Sequence, residues 1–149
     1  MTGTASDSER GSVNILALGY LVIALLAAVV LMAASSVYLE HKKLLSLADG
    51  AAASAADTFD VAGIGGAGQG AVVRLDDGRV QAASTEYLRR SPEAARMEGV
   101  RVLAASGSQD GRTARVTLQA LARPPIVSAF LPDGIVLEAS STARARLMR

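Results

Sequence analysis

The fold is decided by an uncharged stretch near the N-terminus, residues 15–34, which reads ILALGYLVIALLAAVVLMAA. Between Arg10 and Glu40 the only ionisable side chains are the phenols of Tyr20 and Tyr38. As an α-helix, a stretch of this length would rise about 30 Å, which is the thickness of the hydrocarbon core of a bilayer. A small domain could hardly bury a helix that is apolar on every side. The stretch therefore predicts a membrane-inserted helix.

Three interpretations of this helix are open: a cleaved signal peptide, an ordinary single-pass anchor, and a pilin-like helix that sits in the membrane before it packs in a filament. Small residues at 33–35 would suit signal cleavage, but the apolar run is longer than a signal peptide normally carries. The residues predicted to form the span are Ile15, Leu16, Leu21, Ile23, Leu25, Val29, Leu31 and Ala34.

Flanking charges bear on the orientation of the helix. Arg10 precedes the span, whereas Lys42 and Lys43 follow it. Positive residues favour the cytoplasmic side of a membrane. The count of two against one, taken alone, places the C-terminal part of the chain in the cytoplasm.

Composition excludes several classes of function. The chain has 149 residues, a net charge of +1, one histidine and no cysteine. Balanced charge argues against a nucleic-acid binder, and the absence of cysteine excludes disulfides, thiol nucleophiles and Cys-based metal sites. We expect no nucleic acid, small-molecule substrate, metal or cofactor as a partner.

Beyond the span the helical pattern continues, with apolar residues at three- and four-residue spacing from Leu44 to Phe59. We therefore expect one helix over residues 12–60, with an amphipathic outer half. Small residues allow helices to approach closely, and they form a candidate helix-packing face. Its members are Ala24, Ala27 and Ala28 within the membrane and Ala48, Ala52 and Ala55 beyond it. Packing of the outer stripe on this chain's own sheet and packing on partner helices both stay open, as does an alanine-rich genome composition.

The remaining chain predicts a small α+β module. Five glycines in residues 62–70 indicate a loop over 61–70; three of them match G-x-G-x-x-G, but the surrounding elements are wrong for a dinucleotide site. We expect strands at 71–75, 100–104, 114–120 and 135–147, a turn at 76–79, a helix over 82–90 capped by Ser84, and a helical turn at 126–131. The fold class is α+β: an N-terminal tail (1–11), the transmembrane and amphipathic helix (12–60), the loop, and an antiparallel sheet module (71–149) in a pilin-like layout.

No catalytic constellation emerges from the sequence. His41 is an interfacial residue, so the serines lack a general base. Asp76 and Asp77 read as a turn pair, and the arginines that alternate along the strands read as a solvated face or a surface for an anionic partner. A membrane-tethered enzyme is the least favoured interpretation.

Two motifs carry a resemblance to a known family. Arg10-Gly11-Ser12-Val13 leads directly into the apolar helix, which runs into LSLADGAAASAA at residues 45–56. This resembles the TadE/TadG-like proteins of tight-adherence (Flp) pilus systems, especially short actinobacterial members encoded near secretion genes. The resemblance covers residues 9–60, and the rest matches in layout.

The resemblance implies a non-enzymatic minor pilin or pseudopilin of the bacterial cytoplasmic membrane, acting in Flp-type pilus assembly or an associated secretion system. Its partners would be the lipid bilayer and other pilin-like or secretion-system subunits, and its C-terminal module would lie outside the cytoplasm or at the cell surface. Gly11 and Ser12 form a candidate processing site, although Leu16 stands where processed pilins have Glu. The alternative is a single-pass anchored or secreted binding module or effector unrelated to pili.

Overall fold

One long helix carries a small sheet module. The computed structural model describes residues 5–64, 75–124 and 132–144, with side chains described from residue 13 to residue 58 in the first range. Helix α1 is Ala5–Ile64, α2 is Asp77–Arg90, and a 3₁₀ turn at Ala94–Arg96 leads into β1 (Glu98–Val102), β2 (Thr113–Ala122) and β3 (Ile135–Arg144). The strands form an antiparallel sheet in the order β1-β2-β3. The predicted α+β fold class is confirmed.

Helix α1 extends further at both ends than predicted. Its 60 residues give a length of about 90 Å. Residues 5–11, expected as a tail, and 61–64, expected as the start of the loop, are helical. In the second segment the cost of Gly63 is about 1 kcal/mol and that of Val61 and Ile64 is smaller, so the helix that propagates from the alanine-rich residues before it passes the predicted end. Residues 65–70 lie outside the described residues.

The core forms where α1 packs on β2, β3 and α2. Strand β2 is central, and alternate residues from Ala114 to Ala122 are buried against the helix. The largest fully buried side chains include Leu44, Leu47 and Leu118. Most other core positions are alanine, which brings the helix backbone close to the sheet.

Residues of strand β3 alternate between the core and the solvent. Leu137 and Ala139 are buried and Ile135, Ser141 and Ala143 are half-buried, while the residues between them are exposed. The strand is described to Arg144, and residues 145–147, the rest of the predicted strand, lie outside the described residues.

The prediction for α2 was wrong at its start. The turn expected at 76–79 is the first turn of the helix, and Ser84 is an interior residue whose hydroxyl donates to the Val80 carbonyl at 2.6 Å. The reason is the spacing of the inward residues, which begins four residues before the predicted cap. These residues are Val80, Ala83, Ser84, Tyr87 and Leu88.

Strand β1 lies two residues earlier than predicted. Its pairing with β2 is irregular between Glu98 and Arg101, where Gly99 adopts a φ of 63°. It ends at Val102 because residues 104–105 form a turn. Of the strand predicted at 71–75, only Leu75 is described: it is buried, and its amide donates to the Gly111 carbonyl at 3.0 Å. The helical turn predicted at 126–131 lies outside the described residues.

Candidate membrane and assembly surface

The inner half of α1 is exposed although it is apolar. Within the described residues one helix is long and apolar enough to cross a membrane; its most apolar window has a mean hydropathy of 2.9 and none of it is buried. The predicted span residues Ile15, Leu16, Leu21, Ile23, Leu25 and Leu31 expose 55–75% of their surface. Ala34 is exposed too, and Val29 is half-buried. A core helix of a soluble domain would instead be covered on at least one side.

The outer half of α1 is buried along one stripe. Positions three and four apart point to the same side of a helix, and here they face the sheet and α2. The fully or almost fully buried residues are Leu44, Leu47, Ala48, Ala51, Ala52, Ala55 and Ala56. Asp49 and Asp57 are exposed on the opposite side. The side chain of Phe59, expected at the end of this stripe, lies outside the described residues.

The candidate helix-packing face therefore falls into two environments. Ala48, Ala52 and Ala55 are each 0% exposed and lie in this chain's own core. Ala24, Ala27 and Ala28 are exposed. Packing on the chain's own sheet, one of the two alternatives left open by the sequence, describes the outer three residues; partner packing through the inner three stays a prediction.

A glycine in α1 admits a tyrosine from α2. A Cβ atom at Gly50 would lie 2.5 Å from Cζ of Tyr87 and closer still to its hydroxyl. The two helices contact closely only because position 50 has no side chain. Nothing in the local sequence around Gly50 indicates Tyr87 as its neighbour.

Charged residues lie on and beside α1 at the point where its exposed inner half ends and its buried outer half begins. Lys43 Nζ lies 3.1 Å from Glu40 Oε1, and Lys42 Nζ lies 5.6 Å from the centre of the Tyr38 ring. The 3₁₀ turn brings Arg96 to the same place. A groove of about 420 Å³ results, which we call the junction groove; it is lined by Leu39, Glu40, Lys42, Lys43, Ser46, Glu93, Arg96 and Met97.

Two carboxylates hold the loop that precedes β2. Asp77 Oδ1 accepts from the Ser108 amide at 2.7 Å, beside Gly107, where a Cβ would clash with it. Asp110 accepts from the amides of Arg112 and Thr113 and from the Thr113 hydroxyl. Backbone N–H groups, led by that of Arg112, lower the pKa of Asp110 below its usual range because they stabilise the charged form.

On α2, Glu86 lies between two arginines. Arg89 donates two hydrogen bonds of 2.8 Å to this carboxylate, and Arg90 donates one of 2.6 Å. The Arg89 hydrogen bond is the main cause that lowers the pKa of Glu86 to about 2. The group is exposed, so this cluster organises the surface of α2 and adds little stability.

The residues that the sequence analysis considered for catalysis have structural surroundings in the fold. His41 is half-buried on α1, and Asp77 is occupied by the loop contact. Among the described side chains, those of 13–58, 75–124 and 132–144, no three His, Asp or Glu residues converge as a metal site would require. Gly11 and Ser12, the candidate processing site, lie within helical α1; their processing stays a prediction.

Fold and surfaces together define a class of protein: an α+β module carried on one long helix whose inner half suits a single-pass membrane anchor. Residues 11–58 match the family model described as "Putative Flp pilus-assembly TadE/G-like", and this match supports the resemblance found in the sequence. The match covers most of α1 and stops before the sheet. No curated protein and no solved structure matches the chain.

Proposed function

We propose that the protein is a minor pilin or pseudopilin, anchored in the bacterial cytoplasmic membrane by residues 15–34 and acting in Flp-type pilus assembly or an associated secretion system. The TadE/G-like match supports a role in Flp pilus assembly. The observation that carries the finer proposal is that α1 is continuous from an unburied apolar half into a half buried against the sheet. The role is non-enzymatic, as is general for this family.

Continuity of α1 couples the module to the membrane segment. The outer half contacts β2, β3 and α2, and Tyr87 seats against Gly50. The module therefore keeps a fixed orientation relative to the helix that a partner subunit would contact. A subunit passed from the bilayer into a helical assembly needs such a fixed relation, because each copy must present the same surface to the next.

The inner small residues lie away from the module. At 100° per residue, Ala24 is about 180° and Ala28 about 140° around the helix from Ala33, which is half-buried and continues the sheet-facing stripe. A partner helix could therefore approach Ala24 and Ala28 without meeting the chain's own sheet. Close approach through small residues favours association in lipid, where dispersion contacts replace the hydrophobic effect.

Crosslinking tests this assembly face. A photoreactive residue at position 24 or 28, in cells that make the complete pilus machinery, should crosslink to pilin-like subunits. Positions 26 and 30, which carry leucine and valine on the opposite side of the same span, are the controls. Equal crosslinking from both pairs would contradict a dedicated face, and the absence of pilin-like partners from both would favour a binding module unrelated to pili.

Anchorage and orientation have separate tests. The intact chain should stay with membranes during carbonate extraction; a shortened soluble product would instead indicate signal cleavage. Because the chain has no cysteine, Gln109→Cys gives a single label on an exposed loop of the module. A membrane-impermeant maleimide should label it in intact cells, whereas labelling only after lysis would place the module in the cytoplasm.

A further inference from the structure

We propose that the junction groove binds the headgroup of an anionic phospholipid and thereby seats the module on the membrane surface. The inference rests on the proposed insertion of α1 and goes beyond it by naming a ligand. It starts from the convergence of Lys42, on α1, with Arg96, which is 54 positions away in the sequence and reaches the groove through the 3₁₀ turn.

The groove lies at the depth of lipid headgroups. Lys42 is eight residues beyond Ala34, about 12 Å along the helix. Its ammonium group is directed back over the Tyr38 ring, one turn closer to the span, so it lies about 6 Å beyond the hydrocarbon edge. The headgroup layer on one side of a bilayer is about 5–7 Å thick. An ammonium group at this depth meets lipid phosphates.

Charge in the groove favours an anion. Three cations and two carboxylates line it, which gives a net charge of +1. Glu40 is paired with Lys43, whereas in the described ranges neither Lys42 nor Arg96 forms an ion pair. Two free cations from different elements can hold one phosphate between them. Glu93 is the remaining carboxylate and opposes binding.

Apolar residues complete the fit. Leu39 and Met97 line the groove beside the cations, and Leu39 exposes 58% of its surface. They offer contact to the glycerol and upper acyl carbons of a lipid whose phosphate lies at Lys42 and Arg96. A soluble anion would make no use of these two side chains.

The test uses the full chain in nanodiscs of phosphatidylcholine with rising fractions of phosphatidylglycerol. Amide shifts of Arg96 and Met97, followed by NMR, should saturate with phosphatidylglycerol. Lys42→Gln combined with Arg96→Gln should weaken the response about 10- to 30-fold, since each cation near an anionic surface adds severalfold to binding. Arg112→Gln combined with Arg115→Gln removes the same charge from exposed residues away from the groove and should leave the response unchanged.

A variant that binds the lipid more tightly tests the proposal in a way that misfolding could not imitate. Glu93→Gln removes the opposing carboxylate and should strengthen the response severalfold. Equal responses in the two lipids, or an equal loss in the control pair, would overturn the proposal. So would saturation of the same amides by glycerol 1-phosphate in phosphatidylcholine discs, which would indicate a soluble-anion site. Carbonate extraction of each variant keeps the two proposals apart: release of the chain contradicts anchorage, whereas retention without a lipid response contradicts only the headgroup site.

Discussion

The two halves of α1 use similar residues in opposite ways. Residues 15–34 combine alanine with leucine, isoleucine and valine, and almost all of them are exposed. Residues 44–56 combine alanine with leucine, and alternate between a buried stripe and an exposed side. The exposed side of the outer half carries Asp49 and Asp57, whereas the inner half has no charge on any side. The two kinds of helix are therefore distinguished by polar residues on one side and not by the amount of apolar residue. A helix between water and a sheet has such a polar side, whereas a helix suited to lipid has none.

The largest expected effect is on the stability of the module, when truncation of a leucine in the outer half is compared with truncation of one in the inner half. Leu44→Ala removes a fully buried side chain and should lower the free energy of unfolding of the module by about 2–5 kcal/mol. Leu31→Ala removes the same atoms from an exposed site and should change it by less than about 0.5 kcal/mol. Urea unfolding of the full chain in nanodiscs, followed by amide exchange in β2, measures both. Equal losses would mean that the module's stability does not depend on the buried stripe.

A charged residue should have the opposite pattern of effects: it should disturb the inner half of α1 and leave the outer half almost unaffected. Ala27→Arg places a cation at mid-span and should cost about 2.5–3.5 kcal/mol of insertion free energy. Ala53→Arg is the control, because this alanine is exposed on the outer half. The fraction retained after carbonate extraction should fall for the first variant only. Full retention of Ala27→Arg would argue that residues 15–34 do not lie in lipid.

Enlargement of neighbouring alanines sharpens the comparison within the outer half. Ala52 is 0% exposed, so Ala52→Leu overfills the helix–sheet contact and should cost about 1–3 kcal/mol of module stability. Ala53→Leu adds the same side chain on the exposed side and should be nearly neutral. Thermal unfolding of both variants in the same detergent tests this; a neutral Ala52→Leu would show that the contact has room to adapt.

Acidification should affect only the outer region, and this is the smallest expected effect. Residues 11–39 contain no carboxylate. Asp110 has a lowered pKa in the folded chain, so its contribution is present above the unfolded pKa, about 3.9, and is lost as the pH falls through the folded value. The urea midpoint of the module should therefore decrease below about pH 4 while membrane retention stays constant.

The variant Asp110→Asn should flatten this acid dependence. Thr113→Val removes one donor but keeps the carboxylate and its backbone bonds, so it should retain part of the slope. Urea unfolding between pH 2 and pH 7 compares the three chains. An unchanged slope in Asp110→Asn would assign the acid response to other carboxylates.

Periodic features could be predicted from the sequence. The uncharged run predicts the inner helix, and the alternation of apolar with polar residues along β2 and β3 indicates their buried sides, because burial repeats with the geometry of each element. The start of α2 was missed for a local reason: Asp-Asp-Gly-Arg has turn chemistry, yet the inward spacing from Val80 onward is helical. Tertiary packing outweighed that local preference.

Contacts between distant residues could not be predicted in the same way. Two such features are the contact of Tyr87 with Gly50 and the groove that Arg96 and Lys42 both line. Each joins segments that lie far apart in sequence, and no spacing rule connects them. The sequence also could not show that the candidate helix-packing face divides into an exposed and a buried part, since Ala28 and Ala52 have the same side chain and similar neighbours. Their environments differ because the sheet reaches only the outer part of α1.

The distance between the membrane span and the module has a consequence for depth. The buried stripe begins at Leu44, ten residues beyond Ala34, or about 15 Å along α1. A three-stranded sheet at this level is wider than the helix that carries it, so with α1 inserted as proposed the sheet would keep the helix from moving further into the bilayer. With α1 inserted as proposed, tilting of the helix is one response to a thinner hydrocarbon layer. The tilt of the module relative to the membrane surface would then depend on the thickness of the membrane.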